Sequence, residues 1–246
     1  MAGLYFHIPF CRRRCHYCDF YFVTHTALTG KFLDAVETEM SVRKPLLAGE
    51  RIETIYFGGG TPSMLTGKEI ARLIEAAHQH FSVSPSAEIT LEANPEDLTA
   101  GTLQDFKLAG INRLSLGTQA FTDDKLIALS RHHTAADALR CVTLARTQFD
   151  NLSLDLIFGA AGESLESWES ELSIALSLQP QHLSTYSLTI EPQTPLAWLI
   201  SRGKMIPPVD SIQSDMFLLA MTQLRAAGYR HYEVSNFALP EKESKH

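Results

Sequence analysis

Three cysteines, Cys11, Cys15 and Cys18, share one short loop at C-x3-C-x2-C spacing. They follow the apolar run Leu4-Tyr5-Phe6-His7-Ile8, which reads as a strand. Three thiolates at one point suit an iron–sulfur cluster. A [4Fe–4S] cubane normally takes four cysteines. Three leave one iron open to a small molecule, so the loop points to a cluster that binds a ligand rather than one that only carries electrons. Three cysteines cannot all pair as disulfides, and four in the whole chain are too few for a disulfide scaffold. A structural zinc wants four closed ligands. His7 or His16 could complete such a site, yet no second C-x-x-C follows downstream. Cys141, inside the helical stretch Ala138-Leu139-Arg140-Cys141-Val142, reads as a small buried core residue.

Arg12-Arg13-Arg14 lie between the first two cysteines. They read equally as a solvated loop and as positive charge beside an anionic cluster or ligand. Elsewhere the chain is acidic, with a formal charge of −7 and no basic face or aromatic RNA-binding motif, which argues against a general nucleic-acid binder. No apolar run approaches the ~20 residues of a membrane span. The N-terminus enters a strand directly, without a charged-then-apolar leader. Thiolates that hold iron need a reducing compartment. The expectation is a cytoplasmic protein.

Positioning these groups requires a scaffold, and the chain alternates strand and helix. Phe32, Val36 and Met40 recur at helical spacing. Thr54-Ile55-Tyr56-Phe57 reads as a strand running into Gly58-Gly59-Gly60-Thr61-Pro62. Thr66 and Glu69 form a capping box ahead of a helix carrying Ile70, Leu73, Ile74, Ala77 and Phe81 on one face. Further strands are expected at 88–92, 113–116, 152–158 and 182–188, with a helix ending at Gly110 and others near 165–176 and 211–227. A last short strand is expected over 229–234. Six strand–helix units imply a parallel sheet with helices outside it. Eight would close a full barrel. Six therefore point to an α/β fold built as an open, partial TIM-like (β/α)6 barrel. In such folds the active rim lies at the C-terminal strand ends. The cysteine loop, the glycine run, Glu92, Gln119 and Asp155 all fall there, although each alone could be a turn or a cap.

Several of these segments together resemble one family. Tyr5-Phe6-His7-Ile8-Pro9-Phe10-Cys11 and Cys15-His16-Tyr17-Cys18-Asp19-Phe20 are similar to the radical S-adenosylmethionine superfamily. Within it the match is to the oxygen-independent coproporphyrinogen oxidase branch. Gly58-Gly59-Gly60-Thr61-Pro62, Glu92-Ala93-Asn94-Pro95, Asn112 through Gln119 and Asp155-Leu156-Ile157-Phe158-Gly159 resemble that branch in the same order. The resemblance implies that Cys11, Cys15 and Cys18 hold three irons of a [4Fe–4S] cluster. It implies that the fourth iron takes the amino and carboxylate groups of S-adenosylmethionine. Tyr5 and Tyr17 would flank the cluster and adenine. Gly59, Gly60 and Thr61 would let the backbone approach the methionine part. Glu92, Gln119 and Asp155 would contact the nucleoside or a second ligand, and Arg131 would pair with a carboxylate. The implied chemistry is one-electron cleavage of a carbon–sulfur bond.

Two departures separate the chain from the porphyrinogen-oxidising members. They carry a further cysteine where Phe20 stands, and they have an extension ahead of the cluster strand. Both departures resemble the HemW subgroup of heme chaperones, as does Tyr232-Glu233-Val234-Ser235-Asn236-Phe237-Ala238. That likeness implies binding of heme and its delivery to an acceptor protein such as a respiratory enzyme. It also implies a flavodoxin-like electron donor and leaves room for peripheral membrane association. The oxidase reading remains as an enzyme alternative, disfavoured by Phe20, and a zinc or iron–sulfur structural module remains as a third. The subgroup continues with a His-Asn-x-x-Tyr-Trp motif, whose first histidine would align with His246. The expected organisation is a radical-SAM barrel over 1–205 and the beginning of a truncated C-terminal region over 206–246.

Overall fold

The computed structural model describes residues 2–246. Alternation along each strand decides the architecture. In β1 (Ala2–Ile8), Phe6 and Ile8 are buried while Tyr5 and His7 turn to the other face. Phe6 stacks on Phe57 of β2 (Arg51–Gly59) at 5.0 Å, and α1 (Thr29–Arg43) joins the two strands in sequence. The same alternation continues in β3 (Ser82–Ala93), β4 (Arg113–Gln119), β5 (Leu152–Phe158) and β6 (His182–Ser187). One face carries Ile55, Phe57, Leu91, Leu114, Leu116, Leu154, Leu156 and Leu183 into the core. The other carries Tyr56, Glu92, Ser115, Asp155, Ser153 and His182, which hydrogen-bond to one another across the strands. A sheet with one apolar and one polar face must cover the first with helices and curve its second around an interior.

The helices between the strands do the covering. They are α2 (Gly67–His80), α3 (Ala100–Leu108), α4 (Asp123–Ala128), α5 (Ala135–Arg146), α6 (Leu165–Ser177), α7 (Pro195–Ser201) and α8 (Asp210–Ala226). α2 begins where expected: Glu69 N–H donates to Thr66 Oγ1, and Thr66 N–H donates back to Glu69 Oε2. In α1 the buried face is Leu33 and Met40, with Phe32 and Val36 only partly covered. Cys141 is 2% exposed in α5, within the core as expected.

With the short late strands β7 (Arg230–His231) and β8 (Asn236–Ala238), the strand order is β1-β2-β3-β4-β5-β6-β8-β7. The first six pair in parallel. β1 ends one edge and β7 the other, so the sheet is an open partial barrel. The single late strand expected over 229–234 is instead two short antiparallel strands, β7 (Arg230–His231) and β8 (Asn236–Ala238). Residues beyond 205 share the barrel's core: Met216, Ala220, Leu224 and Phe237 are fully buried in it. The Trp168 indole donates to the Met216 carbonyl at 3.0 Å, fixing α8 against α6.

Candidate functional site

The cysteine loop is pinned from several sides. Cys11 N–H donates to the Val23 carbonyl at 3.0 Å, and Val23 N–H donates to Pro9 O at 2.7 Å. His16 N–H donates to Ser130 Oγ at 2.8 Å, and its carbonyl accepts from Leu196 N–H at 2.9 Å. The glycine run then wedges against the loop's base. Gly60 N–H donates to Ile8 O at 2.8 Å and Thr61 N–H to Phe10 O at 2.7 Å. A Cβ on Gly60 would stand 2.7 Å from Ile8 O and 2.8 Å from Phe10 O, closer than real side chains come. Gly60 is therefore a glycine because β1 and β2 approach closely here. Gly59, at φ +103, holds a left-handed conformation under the His7 ring.

All three thiols face one cavity of about 770 Å³. Its wall also includes Tyr17, Gly59, Gly60, Thr61, Glu92, Gln119, Arg131 and Asp155. Every residue expected at the site is thus gathered there except Tyr5. Tyr5 lies outside that wall, on the inward face of the edge strand β1 and 51% exposed, stacked on Tyr56 at 5.8 Å and on His246 at 5.9 Å. Its hydroxyl is pushed up to about 12 by burial and by the nearby Glu92 carboxylate.

Burial raises the Cys11 thiol, which accepts from Thr61 Oγ1 at 3.5 Å and feels Cys18 and Cys15 close by. Burial likewise raises Cys18. Arg131 reaches Cys15 Sγ at 3.7 Å from Nη1, and from Nη2 donates to Asn94 Oδ1 at 2.6 Å and Gly117 O at 3.0 Å. Burial opposes its charge, but Tyr17, Cys15 and Glu96 hold the guanidinium above its usual range. Its Nε is enclosed and without a protein partner. An enclosed donor of this kind costs stability unless something accepts from it.

Glu92 accepts from Tyr56 Oη at 2.8 Å and from Gly59 N–H at 3.2 Å. Burial and the facing Asp155 push its carboxyl up to about 7. Burial also raises Asp155, which accepts from Ser115 Oγ at 3.1 Å. Gln119 ends β4 beside a register shift and takes φ +63. A left-handed glutamine at a bulge is strained backbone of the kind that collects at ligand sites.

The donor set fits a cubane. Three thiols and an anchored arginine lining one cavity are what a thiolate-ligated cluster with an anionic co-ligand requires. Among the described residues no three His, Cys, Asp or Glu side chains gather closely enough for one metal ion. Zinc needs all its ligands on one ion, whereas a cubane's thiolates each hold a different iron. Sequence reasoning passed over three residues that the structure brings in. Tyr56 supports Glu92, Asn94 supports Arg131, and Tyr186 lines the cavity. The signal for Tyr56 and Tyr186 was present in the alternation, since both sit at inward positions of their strands.

With this geometry in place, the chain can be assigned to a class. The Radical SAM superfamily profile matches residues 5–173, and the protein belongs to that superfamily. Among curated relatives, the heme chaperone HemW of Bacillus subtilis is 39% identical over all of this chain and 66% of its own length. HemW of Synechocystis is 37% identical over all of this chain and 61% of its own length. The mouse mitochondrial radical S-adenosyl methionine domain-containing protein 1 is 38% identical over 96% of this chain and 54% of its own. The chain thus spans roughly half to two thirds of these relatives. Among solved structures, coproporphyrinogen III oxidase HemN of Escherichia coli superposes with a TM-score of 0.85 at 28% identity, over 98% of this chain and 56% of that one. The protein is therefore a radical SAM protein of the HemN-like branch, with HemW chaperones among its relatives.

Proposed function

We propose that this protein is a heme chaperone of the HemW type, binding heme and passing it to an acceptor protein, with a [4Fe–4S] cluster that takes S-adenosylmethionine. The observation that carries the reading is the pairing of HemW relatives over the whole chain with a Cys11, Cys15, Cys18 trio facing a cavity. Phe20 supports it, because the oxidases carry a fourth cysteine at that place.

In this reading Cys11, Cys15 and Cys18 hold three irons. Arg131 anchors the carboxylate of S-adenosylmethionine through its guanidinium charge. Tyr17 flanks the adenine, and Gly59, Gly60 and Thr61 shape the wall along the methionine. Glu92 and Asp155 accept from ribose hydroxyls or a second ligand, held in place by Tyr56 and Ser115. Gln119 presents its amide to the same space. When reduced and bound, the cluster supplies one electron to a sulfonium. The chain's own part is to position the ligand and to exclude water from it. In this reading the electron comes from a donor such as a flavodoxin-like protein, and the heme goes to an acceptor protein such as a respiratory enzyme. No helix among the described residues is long and apolar enough to cross a membrane.

The test is anaerobic reconstitution of the intact protein, followed by iron and sulfide counting and a heme titration. Four irons, a visible spectrum altered by S-adenosylmethionine and a stoichiometric Soret change are expected. Absence of any Soret change contradicts the chaperone reading. The likeness to HemN keeps one alternative, oxidative decarboxylation of coproporphyrinogen III. Formation of protoporphyrinogen under anaerobic turnover would establish that instead.

A further inference from the structure

The cavity wall mixes charges: the carboxylates Asp19, Glu92, Glu96, Asp155 and Glu191 line it together with Arg131 and with Arg12, Arg13 and Arg14 of the cysteine loop. These arginines are not equivalent. Arg12 is committed to the buried Asp97 at 2.6 Å. Arg14 gives one N–H to the Gln193 carbonyl at 2.9 Å and lies 5.8 Å from the Phe22 ring centroid, with its remaining donors free. Arg13 has no ion pair or side-chain hydrogen bond among the described residues. Two exposed guanidiniums with unspent donors therefore line the cavity from the cysteine loop, apart from Arg131 beside the thiols.

The same loop places aromatic surface next to that charge. Phe20 is 59% exposed, and both Phe20 and Phe22 line the cavity. Ile157, Tyr186 and Leu188 line it too. Leaving a phenyl ring in water costs about 2 kcal/mol of burial energy, and a rigid ring beside free arginines is a frequent recognition device. The matching ligand has a flat apolar body and anionic groups on one edge. The exposed guanidiniums of Arg13 and Arg14 attract those groups, so the ligand's carboxylates pair with the loop while its flat body lies on the rings.

We propose that Arg13, Arg14, Phe20 and Phe22 form the docking site for the tetrapyrrole, its macrocycle against the phenyl rings and its propionates on the two guanidiniums. This rests on the heme-chaperone reading and adds the place and orientation of the ligand. It also gives Phe20 a role of its own beyond being the absence of a cysteine. The arginine triplet, neutral between two readings in the sequence, is on this account divided: Arg12 braces the loop and the other two bind.

The experiment compares hemin with hemin dimethyl ester, whose propionates are uncharged, on reconstituted intact protein. Iron content and the spectral response to S-adenosylmethionine are checked first in every variant. The wild-type protein is expected to bind hemin about tenfold or more tighter than the ester, the scale of one charge-assisted hydrogen bond. Arg13→Ala with Arg14→Ala should weaken hemin to the level of the ester and leave the ester unchanged. Phe20→Ala should weaken both alike. Equal wild-type affinity for hemin and ester, or wild-type hemin affinity in the arginine variant, overturns the docking site while leaving the chaperone reading intact. A wild-type protein that takes up no hemin removes the chaperone reading itself.

Discussion

The Tyr56 hydroxyl donates to Glu92 Oε1 at 2.8 Å, and the Gly59 amide donates to Oε2 at 3.2 Å. Both bonds favour the carboxylate, yet burial and the neighbouring Asp155 outweigh them and raise the group from 4.5 to about 7. The folded protein then keeps a proton between those two values that the unfolded chain has released. Stability should fall as pH rises across that window and level off above it. Glu92→Gln preserves the acceptor for Tyr56 and removes the titration. It should flatten the pH dependence and stabilise the apoprotein at pH 8 by about 1–3 kcal/mol. Urea denaturation from pH 5 to 8 measures this, and an unchanged slope would show that Glu92 is not the titrating group.

Cys15→Ser should cost the cluster, since serine offers a hard oxygen in place of a soft thiolate. Iron counting and visible absorbance after anaerobic reconstitution report the outcome. A full complement of iron with the wild-type spectrum would contradict the ligand role.

Arg131 holds Asn94 and Gly117 with one nitrogen and leaves Nε unspent. If the guanidinium pairs with the carboxylate of S-adenosylmethionine, Arg131→Ala should weaken binding at least about tenfold. Arg131→Lys should recover little, because lysine lacks the planar fork. Calorimetry on the reconstituted protein decides, and equal affinity in all three proteins would refute the pairing.

Gly60→Ala tests the strand junction. The added methyl would press on Ile8 O and Phe10 O, both backbone atoms that cannot turn aside. A loss of about 2 kcal/mol is expected, within the range for overpacking. Gly101→Ala is the control, with only Thr99 Oγ1 near its Cβ at 3.8 Å. Similar melting of the two variants would show that the approach is slack.

Much of the scaffold was legible because its signals are local. Strand alternation, the Thr66–Glu69 box and the apolar stripe of α2 each sit within a dozen residues and meet no tertiary conflict. The site's rim was legible for the same reason: strand ends in a parallel sheet share one side. Tyr5 shows where such reasoning stops. Its position in β1 faces it inward, but whether an inward side chain meets the cavity or lies outside its wall depends on its height along the strand relative to five others. That height is set by register, and registers here shift between Leu116 and Gln119 and between Ile52 and Thr54. The β7–β8 pair was missed because both strands are too short to show periodicity. Arg131 and Asn94, 37 residues apart in sequence, meet only once the loops after β3 and β4 are folded together.

The unjoined edges of β1 and β7 leave this sheet a freedom that a closed cylinder lacks. Widening a sealed ring of strands means tearing a ladder of backbone bonds, whereas a trough can spread by a little extra twist with every rung intact. Guests of different girth can then share one interior.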